Sequence, residues 1–299
     1  MSGAEVAPED SAAAQPVRSR AGAEQREYPP APEPLAWPII DNHTHLEIAD
    51  SALPLSPEEH LARAEAVGVT RIVQVGTDLA TSRWSAELAG RDPRVLAAVA
   101  LHPNEAPELA ERGLLDEHLA GIDALAALPR VRAIGESGLD FFRTEPPGRA
   151  AQLYSFEQHI AIAKRHGLAL QIHDRDAHHE VIETLERVGA PATTVFHCFS
   201  GDASLARLAT HHGWYLSFSG TVTFKNAPAL RGALAVTPLD RILIETDAPF
   251  LTPVPLRGRS NAPYLLPHTL RFIAGELGLS EQSASEQFTA NTLRVYGEW

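Results

Sequence analysis

The sequence predicts a single (β/α)8 TIM barrel of the α/β class, on three observations. Eight apolar runs of strand length begin near residues 39, 71, 95, 131, 168, 193, 214 and 241, and Ala-, Leu- and Glu-rich helical pattern separates most neighbours. That alternation is the signature of a parallel sheet built from βα units. Metal-binding side chains recur at the C-terminal end of these runs: His43 and His45, Glu136, His173, His197 and Asp247. A barrel gathers all its strand C-termini on one face, so this recurrence assembles one site. The length of 299 residues admits one barrel or two small domains, and the regular alternation selects the barrel.

Ahead of the first run, residues 1–37 are rich in Ala, Pro, Glu and Ser, with Pro29, Pro30, Pro32 and Pro34 in close succession. Without apolar periodicity such a segment buries too little surface to offset its ordering entropy, and it is expected to be a disordered tail. Residues 38–299 form the expected catalytic unit. The tail lacks the basic start and apolar core of a secretory signal, and no later run approaches the roughly 20 apolar residues of a membrane span. A cytoplasmic protein with no membrane partner is expected; the oligomeric state is not legible.

The first run, IIDNHTH, places His43 and His45 two residues apart, on one face of a strand. The second run supplies no ligand. The third ends in ALHPN, and its His102 sits at the rim as a candidate substrate contact. The fourth, VRAIGES, ends in Glu136, followed by Ser137-Gly138-Leu139-Asp140, read as a turn whose glycine lets the backbone approach the site. A carboxylate can bridge two cations where an imidazole cannot, so Glu136 is the expected bridge. The fifth and sixth runs end in His173 and His197, which with Glu136 would hold a second ion. The seventh leads to Lys225. The eighth ends in ETDAP, where Asp247 can both ligate and take a proton from water, making it the expected general base. Arg175, Lys225, Arg257 and Asn261 lie in segments that reach the mouth and are candidate substrate contacts, the loops after strands 7 and 8 being common phosphate sites.

Other features weigh against rival chemistries. The lone cysteine, Cys198, excludes a disulfide framework within the chain. As a neighbour of His197 on a strand it is expected to face away from the mouth, packed on a helix or loop. The remaining histidines read as solvated or locally hydrogen-bonded. Of the net charge of −13, residues 1–37 carry −3 and residues 38–299 carry −10, which argues against a broad basic groove for duplex nucleic acid. Two divalent cations among four neutral imidazoles and two carboxylates would give a local formal charge of about +2 and attract an anionic substrate there.

The motifs DNHTH, GESGLD, IHDRDA, HCFSG, SFSGTVTFKNA, ETDAPFLTP, RGRSNAP and NTLRVYG, in this order over residues 39–297, resemble those of the TatD family of metal-dependent hydrolases, within the amidohydrolase-like barrels. The resemblance implies a divalent-metal 3′-to-5′ exonuclease acting on single-stranded DNA and RNA ends, with His43, His45, Glu136, His173, His197 and Asp247 as ligands of two ions. Ala100, Ser137 and Ala262 depart from the residues usual at their positions in that family. Mg or Mn is the implied working metal, whereas four imidazoles alone would equally suit Zn, Co or Ni. Two alternatives remain at this stage: an esterase, amidase or phosphotriesterase on the same barrel, many of which use a modified lysine where this chain has Glu136, and a non-catalytic metal-binding interaction protein.

Overall fold

The computed structural model describes residues 18–299. Eight parallel strands run in chain order around a barrel: β1 Ile39–Thr44, β2 Val69–Val75, β3 Val95–Val99, β4 Val131–Asp140, β5 Ala169–Arg175, β6 Thr194–Phe196, β7 Tyr215–Phe218 and β8 Ile242–Ile244. The eight runs read from the sequence are these strands, each displaced by two residues at most.

Helices follow the strands on the outside: α1 Pro57–Ala66, α2 Leu79–Arg91, α3 Ala106–Glu111, α4 Leu115–Ala126, α5 Arg149–His166, α6 His178–Val188, α7 Ala203–His211, α8 Pro228–Val236, α9 Leu266–Leu277 and α10 Glu281–Tyr296. Local chemistry sets their starts. Ser56 and Glu59 form a capping box at α1, and Asp78 and Asp202 cap α2 and α7 through their carboxylates. Among the described residues no helix is long and apolar enough to cross a membrane.

Strand alternation divides the core in two. Val73 and Val75 of β2, Leu96 and Ala98 of β3, Val195 of β6 and Leu243 of β8 fill the barrel interior, while Ile72, Val95, Ala97 and Phe196 face the helices. At the base, Tyr296 of α10 reaches inside, and its hydroxyl lies 2.7 Å from Gln171 Nε2. The larger outer cluster removes most of the apolar surface from water, the dominant favourable term in folding.

The seam between β1 and β8 is not a regular ladder. It closes above the strands, where Asp247 N–H donates to His43 O at 2.9 Å and His45 N–H to Ala248 O at 2.7 Å. Beneath these bonds the buried Asp41 carboxylate accepts from Thr246 N at 2.9 Å and His43 N at 3.3 Å.

Residues 18–37 depart from the disordered tail expected of them. They form an arm docked on the barrel: Arg18–Ser19 pairs in parallel with Ile48–Ala49, Leu35 N–H donates to Val67 O at 3.0 Å, and the Tyr264 hydroxyl donates to Pro29 O. Arg18 binds the buried Glu47, and Arg20 and Arg26 bind the buried Asp50. Composition alone misread the segment because polar, long-range partners order it. Residues 1–17, for which disorder was also expected, lie outside the described residues.

Candidate metal centre

Interior parity carries the side chains to the mouth. On β1, β5, β6 and β8 the inward set includes His43 and His173 within the strands and continues past their ends as His45, His197, Glu245 and Asp247. Glu136 would break this rule, since Ala133, three residues earlier, already faces inward. A register shift between Ile134 and Ser137 in the β4–β5 pairing corrects the parity and turns Glu136 into the barrel. The segment after Glu136 is therefore not the expected turn: β4 continues to Asp140, with Ser137–Asp140 paired to Ile172–Arg175. Gly138, at φ 144°, lies so close to β5 that a Cβ there would stand 2.1 Å from His173 O.

The two oxygens of Glu136 face different histidines. Oε1 is 3.3 Å from His45 Nε2 and 3.8 Å from His43 Nε2, whereas Oε2 is 3.1 Å from His173 Nδ1 and 3.2 Å from His197 Nε2. Asp247 Oδ1 lies 3.5 Å from His45 Nε2 and 3.9 Å from His43 Nε2. The six residues singled out by sequence thus converge on one largely buried site, in overlapping clusters able to hold metal ions, one of which also takes in His102.

Outer partners orient the rings. His45 Nδ1 is 2.9 Å from Val75 O, His197 Nδ1 2.8 Å from Glu245 Oε1, and His173 Nε2 3.2 Å from Asp140 Oδ2. Such contacts fix which nitrogen points at a metal. Asp140 and Glu245 were not assigned a role from sequence, although Asp140 shares the inward parity of Glu136 and Glu245 that of Asp247. Periodicity alone could have found both.

The donor set calls for positive charge. Burial works against a charged imidazole, yet hydrogen bonds to Asp247 and Glu136 push His45 up to about 10. For His197 burial is likewise outweighed by Glu245 and Glu136, which hold it well above the usual histidine range. Burial and the stacked His197 ring, 3.6 Å away, push His43 down to about 3. His43 Nδ1 is buried without a hydrogen-bond partner. Protons stand here where divalent cations would, so the residues fit the metal the donor chemistry implies.

The site opens into a cleft of about 720 Å³. Of the candidate substrate contacts, His102 and Arg175 line it. His102 Nδ1 accepts from Asn104 N–H at 3.1 Å, which leaves the proton of the neutral ring on Nε2, 3.9 Å from Glu136 Oε2. Burial, then His173, keeps that ring neutral by pushing its pKa down to about 3. Arg175 lies 3.9 Å over the Phe142 ring. Lys225 and Arg257 do not line the cleft; both are exposed, with Arg257 4.0 Å over the Phe224 ring. Asn261 is corrected outright. It is 1% exposed, and its amide donates to Thr246 O at 2.9 Å and to Phe250 O at 2.5 Å, so it braces the loop after β8.

Cys198 also departs from expectation by lining the cleft. β6 ends at Phe196, so strand alternation no longer applies, and a left-handed backbone at φ 42° turns the residue inward. Burial pushes its thiol up to about 12, which denies it a nucleophilic thiolate.

A parallel barrel whose strand ends converge on four histidines and two buried carboxylates defines the class of metal-dependent barrel hydrolases. The family described as TatD related DNase matches residues 40–297, and the chain belongs to it. The chain is 42% identical over 266 residues to the metal-dependent hydrolase TatD of Mycobacterium tuberculosis, covering 87% of this chain and 98% of that protein. It is 35% identical over 247 residues to the 3′-5′ ssDNA/RNA exonuclease TatD of Citrobacter rodentium, covering 80% and 91%. Among solved structures, YJJV, a TatD homolog of Escherichia coli, superposes with a TM-score of 0.78 at 26% identity, covering 86% and 97%. The protein is a metal-dependent hydrolase of ester bonds.

Proposed function

We propose that the protein is a 3′-to-5′ exonuclease that hydrolyses phosphodiesters at single-stranded DNA or RNA ends, using two divalent cations, Mg or Mn in use. The carrying observation is the division of Glu136, with one oxygen toward His43 and His45 and the other toward His173 and His197. A single carboxylate shared between two imidazole pairs is the arrangement that two cations require. Bound there, the ions would polarise a phosphoryl oxygen and lower the pKa of water.

The chain's own groups supply the rest. Asp247 projects over the site from its left-handed position after β8, at φ 55°, and accepts the proton of the attacking water. His102 Nε2–H and the Arg175 guanidinium face the cleft as donors to the non-bridging oxygens. A net charge of −13 argues against a broad basic face for a duplex, so a strand end entering the cleft is the favoured substrate. The exonuclease of C. rodentium, alike over most of its length, supports the same reading.

The test uses a single-stranded oligonucleotide labelled at its 5′ end, with a blunt duplex beside it. A descending ladder on the single strand and little cleavage of the duplex are expected. Asp247→Asn should keep its fold and much of its metal but lose turnover by roughly 100-fold or more, the scale of a removed general base. Equal degradation of the duplex, or full activity in the variant, would contradict the proposal.

A further inference from the structure

We propose that the N-terminal arm completes the substrate cleft, with Arg18 and Arg20, docked beside β1, binding phosphates of the strand across the metal centre from Arg175 of β5, the strand opposite β1 in the eight-strand order. This rests on the nuclease reading and extends it to residues outside the family match, which begins at residue 40.

Placement is the first support. Arg18, Ser19 and Arg20 line the cleft together with His45, Asp247 and Phe250. Pairing of Arg18–Ser19 with Ile48–Ala49 fixes this wall as short β-structure instead of a loose tail. The side chains of Arg18 and Arg20 remain 37% and 34% exposed, against complete burial of the carboxylates they touch.

Charge balance is the second. Asp50 is paired with both Arg20 and Arg26, and only Arg20 lines the cleft. One carboxylate between two guanidinium groups leaves a net positive charge, and it faces the cleft through Arg20. Arg18 spends Nη2 on Glu47 at 3.0 Å and on Thr77 Oγ1 at 2.9 Å, and its Nε is buried, so Nη1 is the donor it can offer to the cleft. Unspent guanidinium donors beside a cleft suit phosphate oxygens.

An aromatic partner is the third. The Arg20 guanidinium lies 4.7 Å over the Phe250 ring, whose centroid is 6.1 Å from that of His45. Across the cleft Arg175 stands 3.9 Å over Phe142, a ring 62% exposed. Two cation-on-aromatic walls flanking a hydrolytic centre match the recurring chemistry of single-strand grooves, in which guanidinium groups take phosphates and rings take bases.

Arg18→Gln/Arg20→Gln is compared with wild type and with Arg26→Gln, which perturbs the same Asp50 away from the cleft. Equilibrium binding of a labelled single-stranded oligonucleotide, without added metal, is read against salt. Affinity should fall roughly tenfold or more, and the slope of log K against log salt should shrink by about 1.4, at ~0.7 for each phosphate left unneutralised. With metal, hydrolysis of bis(p-nitrophenyl) phosphate, which has no flanking phosphates, should stay within about twofold while KM for the oligonucleotide rises. Arg26→Gln should leave oligonucleotide affinity near wild type, and Arg18→Lys/Arg20→Lys should restore most of it. Unchanged affinity and slope would overturn the proposal, as would parallel losses on both substrates, which would make the arm a strap only. A wild-type protein that hydrolyses the small diester but neither binds nor cleaves the oligonucleotide would overturn the nuclease reading, and this proposal with it.

Discussion

At the residue scale Glu136 is the hinge of the site. The residue is 5% exposed, and its carboxylate has imidazoles on both oxygens. Removal leaves each proposed cation with one ligand fewer and less negative charge between the two. Glu136→Ala is therefore expected to lose metal at both positions, measured as metal per chain after gel filtration; two retained equivalents would end its bridging role. The convergence of the six proposed ligands was legible in the sequence because a period of two and strand ends sufficed to align them. What brings Glu136 inward was not: a one-residue register shift leaves no mark in composition. Asn261 was misjudged for a related reason, since a polar residue in a loop near the mouth looks the same in sequence whether it meets substrate or backbone.

At the scale of elements the arm is the largest difference between sequence and structure. Its prolines disfavour helix beyond the single 3-10 turn Ala23–Gln25, and its order comes from Leu35 and Tyr28 on the core together with arginines that meet carboxylates about 30 positions on, as Arg18 with Glu47 and Arg20 with Asp50. No window-based reading sees such partners. Glu47 and Asp50 are fully buried, and removing the arm would leave both without their arginines. Stripping these partly exposed arginines from two buried carboxylates costs on the order of 2 kcal/mol or more. Deletion of residues 1–37 should accordingly lower Tm by roughly 5 °C or more. A melting curve that superposes on wild type would show the docking to be energetically idle.

At the scale of the whole molecule, buried neutral histidines tie stability to pH. Burial pushes His60 down to about 3, with Arg63 adding to the effect, and His159 down to about 4. His159 Nε2 accepts from Leu101 N–H at 3.0 Å, and His60 Nε2 lies 3.3 Å from the Tyr28 hydroxyl of the arm. In the unfolded chain both titrate near 6.5, so below that pH the unfolded state binds more protons than the folded one. Their contribution is complete above about pH 6.5 and is lost as pH falls toward 4 and then 3, by roughly 2 kcal/mol per group at pH 5. Tm of the metal-free protein should decline from pH 6.5 to 5, less steeply in His159→Gln, which keeps an acceptor but does not titrate. Equal declines in the two proteins would remove His159 from the account. The barrel itself was legible at this scale because its eight runs and their spacing are global features that survive local misreadings.

The seam between β1 and β8 carries one more consequence. The main-chain bonds that fasten it come from His43, His45 and Asp247, the residues whose side chains would hold the metal. A cylinder of strands is thus buttoned shut by its own reactive centre. Any cation that draws these three side chains together also pulls the first and last staves of the barrel into contact. Occupancy and closure then become two readings of one equilibrium, in which filling the site tightens the wall and a gap in the wall empties the site.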